Sequence, residues 1–198
     1  MAKRKTTKPA RSLLLRTCGP NGESHNGFKW PLKVGAKVKA PDWNPRAECD
    51  NGLHGLLDGA GDGGLLRHEK DSVWMVVSAL TKSIVALRGK VKMPEARIEF
   101  VGDRRGATDY LIAHGAKAEN IIGAFIQVGD NGRAVGAAYS TVSGGYGATV
   151  SGGYGASLSL KWFDGTRHRF AVAYVGEDGI KPNTKYRLND KQKFVEVA

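Results

Sequence analysis

The sequence predicts a mainly β protein of the α+β kind, with a mixed, β-rich N-terminal body, a short layer of Gly-rich repeats and C-terminal antiparallel hairpins. Three observations carry that expectation. Eight-residue units run from Asn120 to Ser159, β-branched apolar runs precede them, and two pairs of short runs separated by turn formers follow. The segments divide as a basic, disordered tail over 1–12, a body over 13–119, a repeat layer over 120–160 and hairpins over 161–198.

Within the body, Ser12 to Thr17 reads as a first strand and Lys33 to Lys39 as a short strand or hairpin arm. Residues 41–66 are dominated by turn formers and read as one long loop, of the length that is usually functional or packed by its own side chains. Ser72 to Ala79 (SVWMVVSA) is continuously apolar, as a central strand covered on both faces must be. Shorter strands are expected at Ser83–Leu87, Lys90–Met93 and Arg97–Val101. The one helix is expected over Gly106–His114, with Gly115 as its C-terminal stop.

Stacked in eights, residues 120–159 read NIIGAFIQ, VGDNGRAV, GAAYSTVS, GGYGATVS and GGYGASLS. The fifth and seventh positions are small then apolar in the last three units, and the sixth and eighth carry hydroxyls. Such a period of two describes a half-buried strand, and the Gly-rich element between strands permits a sharp corner. Two architectures fit: a β-solenoid, in which each unit is one edge of a coil, or a meander of hairpins. Near-identical repetition favours the solenoid, because stacking like on like satisfies every coil equally. So few units must dock one apolar edge on a neighbouring segment. No charge lies between Arg133 and Lys161, so the Thr/Ser face is an uncharged surface offering Thr141, Thr149, Ser151 and Ser157 for recognition, with Tyr146 and Tyr154 at the corners. After the array, Asp164-Gly165 and Asn189-Asp190 mark two hairpin turns.

Composition bounds the function. The 198 residues are 41% hydrophobic and 25% charged, as in an ordinary globular protein, and no run approaches the roughly 20 apolar residues of a membrane-crossing helix. The apolar run Leu13–Leu15 is too short for a signal-peptide core, and two cysteines suit a reducing compartment. The net charge of +11 is concentrated at the start, where six basic residues precede any acid. Lys3, Arg4, Lys5, Lys8 and Arg11 therefore suggest phosphate contacts to a nucleic acid.

The motifs GFKWP at 27–31, APDWNP at 40–45, ECDNGLHG at 48–55, GDRRGATDYLIAHGA at 102–116 and the ending VGEDGIKPNTKYRLND at 175–190 occur in a fixed order. That order resembles a bacterial and bacteriophage family without an established activity, whose Gly-rich eights lie between a G-Leu/Phe-His head and a WFDG-to-YRL tail. The resemblance implies a phage or prophage accessory role, cytoplasmic in a bacterial host or virion-associated. Separately, the eights resemble the repeat of bacterial ice-nucleation proteins, which implies a β-solenoid here but not the large surface that ordering ice needs.

Several residues carry candidate chemistry. Cys18, His25, Cys49 and His54 are zinc-ligand types, but their spacings are not those of a finger and no CxxC occurs. No cofactor is expected, with zinc as the alternative. The G-Leu-His loop loosely resembles divergent ADP-ribosyltransferase-like domains, which would make His54 a nicotinamide-dinucleotide contact and Glu99 the acid. The leading expectation is a non-enzymatic binding or assembly protein that uses the repeat face and the Cys49–His54 loop to meet a protein partner. Oligomers would form through the repeat edges.

Overall fold

The computed structural model describes residues 9–197. Lys3, Arg4, Lys5 and Lys8 of the basic tail lie outside that range. Arg11, by contrast, begins a strand: β1 runs Arg11–Cys18, and the Arg11 guanidinium donates to the Ser78 hydroxyl at 2.9 Å and the Ser78 carbonyl at 2.7 Å. Its donors are thus held in the body, and the tail ends earlier than residue 12.

Seven strands build the body sheet. After β1 come β2 (Lys37–Lys39), β3 (Leu53–Leu57), β4 (Val73–Leu80), β5 (Val85–Ala86), β6 (Val91–Met93) and β7 (Glu95–Gly102). They pair antiparallel throughout, in the order β2-β7-β4-β1-β3-β6-β5. The apolar run of β4 does lie centrally, between β1 and β7, with six consecutive residues buried. The expected loop over 41–66 is corrected by β3, whose LHGLL inserts between β1 and β6. Its Gly55 lies against β1 where a Cβ would stand 3.2 Å from both the Leu14 side chain and the Leu15 carbonyl oxygen. A glycine that reads as a turn former is here the residue that lets two strands approach.

Because strand side chains alternate, β1 feeds two cores. Leu14 and Cys18 join Trp30, Leu53, Met75 and Ile98 on one face, while Leu15 joins Leu56, Trp74 and Val76 on the other. The second face is covered by the helix α1 (Arg104–Ala113) through Ala107 and Leu111. The helix starts two residues before its expected position, because the Asp103 carboxylate caps it by accepting from the Gly106 amide at 2.7 Å.

The repeats form a β-solenoid. Five strands follow one another: β8 (Phe125–Val128), β9 (Arg133–Gly136), β10 (Thr141–Gly144), β11 (Thr149–Gly152) and β12 (Ser157–Phe163). β10 pairs parallel with both β8 and β12, and β11 pairs parallel with β9. Parallel pairing excludes the meander, since hairpin neighbours would run antiparallel. Thr141 faces Phe125 and Ser157, each sixteen residues away, so one coil consists of two eights. Between the two sheets, Ala134, Val142, Ala148, Val150, Ala156 and Leu158 make a third core.

Both ends of the array are closed. At the start, the Arg104 and Arg105 guanidiniums lie 4.4 and 5.1 Å over the Phe125 ring, and corner residues Ala137, Ala138 and Tyr139 pack into the body core beneath α1. The Tyr139 ring stacks on His68 at 4.1 Å. At the finish, β13 (His168–Tyr174) runs antiparallel on β12, and β14 (Tyr186–Leu188) with β15 (Phe194–Glu196) runs antiparallel on β11. Both hairpin turns fall where the sequence places them. The Asp164 carboxylate accepts from the Thr166 and Arg167 amides at 2.8 and 2.9 Å and pairs with Arg169.

Candidate functional site

The structure divides the expected recognition surface. Two eights complete one turn, so alternate strands face opposite directions. Thr141 and Ser157 belong to the sheet β13-β12-β10-β8, whereas Thr149 and Ser151 belong to the sheet β15-β14-β11-β9. Ser151 is only 4% exposed, so it is no surface residue. The corner tyrosines divide likewise: Tyr139 and Tyr154 meet edge to face at 6.4 Å, while Tyr146 belongs to the other edge, where its carbonyl accepts from the Asn131 amide at 2.7 Å.

The first sheet's outer face has a second component, missed in the sequence. β13 places Tyr174 opposite Ser157, Val172 opposite Ser159 and Phe170 opposite Lys161. Phe170, Val172 and Tyr174 are 58, 55 and 53% exposed, and β13 is the sheet's edge strand. The readable signal was HRFAVAY itself, in which Phe170, Val172 and Tyr174 alternate with Arg169, Ala171 and Ala173 and so put every bulky apolar member on one face.

The candidate chemistry gathers at a cleft of about 650 Å³ in the body. β1 and β3 pair only at Leu14–Leu57 and Leu15–Leu56, and then part. The Arg16 guanidinium bridges the gap, donating to the His54 carbonyl at 2.9 Å and to the Ser24 hydroxyl at 2.8 Å, and lies 4.1 Å over the Trp30 ring. His25, Cys49 and His54 line this cleft with Arg16, Trp30 and Lys90. Cys18 does not: it is buried in the first core, its thiol 3.5 Å from the Met75 sulfur. Among the described residues no three His, Cys, Asp or Glu side chains form a metal-ligating group, so the four zinc-ligand candidates are not brought together.

Electrostatics set the cleft apart from the rest of the body. Burial, then the charges of Lys90, Arg16 and Lys92, push His54 down to about 4, so it is neutral at pH 7. Burial also brings Arg16 down to about 10. The thiol of exposed Cys49 is lowered by a hydrogen bond with Lys90, then by the Asp50 backbone. Lys92, 1% exposed, donates to the Glu48 and Asp50 carbonyls at 2.8 and 3.3 Å. Arg16 Nε, Trp30 Nε1 and His54 Nε2 are buried without a hydrogen-bond partner, a condition that costs about 1–3 kcal/mol per group. Asp50 and Asn51 hold left-handed backbones at φ 79° and 50°, so the loop carrying Cys49 is strained.

Glu99 is elsewhere. It is on β7, three strands from His54 in sheet order, or about 14 Å at ordinary strand spacing, and it accepts from the Ser78 hydroxyl at 2.5 Å. His54 and Glu99 are therefore not neighbours in this sheet. Neither Arg16, counted only among the N-terminal charges, nor Trp30, noted only within GFKWP, was singled out as a site residue in the sequence. Arg16 shares a strand face with Leu14 and Cys18, and a lone cation on an otherwise apolar strand face was the signal available.

The fold thus defines a β-solenoid-bearing repeat protein rich in glycine. Known proteins agree at that level. The ice nucleation protein of Xanthomonas campestris pv. translucens is 38% identical over 104 residues, 52% of this chain and 6% of that protein. One from Pseudomonas syringae is 36% identical over 108 residues, covering 54 and 9%, and ice nucleation protein InaU of Pantoea ananas is 32% identical over 111 residues, covering 55 and 10%. The chain spans a tenth or less of the length of these relatives. No family model and no solved structure matches it.

Proposed function

We propose that the chain is a non-enzymatic binding and assembly protein whose contact surface is the outer face of the first solenoid sheet together with its edge strand β13. The observation that carries this reading is the exposure of Phe170, Val172 and Tyr174 on an unpaired edge. Edge strands that must remain free are usually blunted by proline, lysine or a bulge. β13 has no proline or lysine, its one arginine, Arg169, is paired with Asp164, and its register with β12 is unbroken over seven residues. Beside the apolar row run the uncharged Thr141/Ser157 and Ser143/Ser159 rows, so a partner meets a flat surface with little charge to desolvate. The partner is a protein that adds a strand, either a second copy or an extended segment of another chain. Similarity to ice nucleation proteins supports a non-enzymatic binding or assembly role.

Sedimentation of the intact protein beside a Val172→Lys variant tests the reading. The wild type is expected to sediment above 21.2 kDa, or to retain bacterial proteins that the variant loses, with both forms melting alike. A wild type that remains monomeric and retains the same proteins as the variant overturns it.

A further inference from the structure

The cleft between β1 and β3 is not explained by partner binding at the solenoid. Its volume, about 650 Å³, is within the range of small-molecule sites, on the order of 300–1,000 Å³. Its three orphaned nitrogens share one chemical property. Arg Nε and Trp Nε1 only donate, and His54 Nε2 joins them as a donor in the tautomer protonated there. What the cleft lacks is an acceptor.

Water would supply an acceptor but not a charge. The Arg16 hydrogen bonds go to a backbone carbonyl and a hydroxyl, and among the described residues no carboxylate pairs with it. Lys90 and Lys92 add charge of the same sign nearby. Of the two acids on the wall, Asp42 is engaged by the Gly52 amide at 3.0 Å, which leaves Asp50 as the local counter-charge. Part of the remaining wall is apolar: Phe28 and Trp30 meet edge to face at 5.7 Å, and Leu65 lines the cleft while 49% exposed. That combination suits a flat apolar body ending in negatively charged oxygens.

We propose that this cleft binds a small organic oxyanion, a carboxylate or phosphate on a flat apolar body, with Arg16, Trp30 and His54 as the anchoring donors. An anion there supplies the missing acceptors and offsets the cost that burial imposes on the Arg16 charge. No catalysis is required of the site.

Titrations of the full chain with benzoate, phenyl phosphate, inorganic phosphate and neutral benzyl alcohol test this, followed by NMR of the Trp30 indole N–H and the His54 ring. Benzoate or phenyl phosphate is expected to shift both signals saturably and raise the melting temperature, with benzyl alcohol inert. The two aryl arms separate carboxylate from phosphate recognition. Arg16→Gln should weaken binding about tenfold or more, and Lys90→Gln about threefold. Should Arg16→Gln fail to fold, Lys90→Gln carries the test, because its side chain is at the rim and holds no strand together. The proposal fails if neither anion moves the Trp30 and His54 signals at about 10 mM, a weak-binding limit. It also fails if benzyl alcohol acts equally, or if Lys90→Gln binds unchanged. Anions captured by the basic N-terminus would leave both reporter signals in place and so count against it.

Discussion

In the body, each strand of the seven-stranded sheet meets neighbours of unrelated sequence, and the two faces have different covers, a loop-borne Trp30 on one and α1 on the other. In the solenoid, each inner strand meets the equivalent strand of the next coil in an unbroken register sixteen residues away. Both regions have a buried apolar core, yet they allocate information differently. The body specifies its register residue by residue, and the freedom this leaves has gone into a cleft where two strands part. The solenoid specifies its register by repetition, and what it gains is a flat surface with closed ends. Candidate chemistry collects in the first region and candidate contact surface in the second.

The sharpest way to break the comparison is to change the array's length. Removing residues 141–156 takes out one whole coil and leaves β8 facing β12, so a folded, cooperatively melting protein is expected. Removing residues 145–152 takes out half a coil and sends β12 to the wrong sheet. The hairpins should then detach, with a large fall in melting temperature and loss of β signal by circular dichroism. Equal behaviour of the two deletions would mean that the coil is not the folding unit.

Single substitutions follow in size. Ile98→Ala, at a fully buried body position, should cost about 3 kcal/mol by denaturant titration. In the array, Gly153→Ala should cost about 2 kcal/mol, since the new Cβ would lie 2.6 Å from the Ala138 nitrogen on the coil below. A harmless Gly153→Ala would show that the coils are less closely stacked than their pairing implies.

The smallest effect is with acid. Hydrogen bonds from the Arg167 and Thr166 amides, then Arg169, hold Asp164 down to about 2. A lowered carboxylate stabilises the folded state above its unfolded value near 3.9 and loses that contribution as pH falls toward 2. Asp164→Asn should therefore flatten the stability profile between about pH 4 and 2, and an unchanged profile would remove the turn from the account.

Much of this architecture was legible in the sequence because it rests on local patterns. The central strand β4, the helix and its Gly115 stop, both hairpin turns and the repeat strands are set by periodicity and turn chemistry within a few residues. What escaped depends on partners distant in sequence. β3 was hidden because Gly55 serves an interstrand contact, and the split of Thr141 from Thr149 depends on how many eights close a coil, which no single eight reveals. The cleft was half visible. His25, Cys49 and His54 stood out by residue type, but Arg16 was counted among tail charges because only the parted strands show that it crosses to His54.

The closed ends of the solenoid have one more consequence. Each coil adds one strand spacing, about 4.8 Å, between the body and the C-terminal hairpins. Inserting or losing whole coils would move those hairpins along a single axis in steps of that size while leaving the cleft and the β13 edge intact. The array is then a graduated spacer, which would set how far the proposed docking edge stands from the body without altering the cleft.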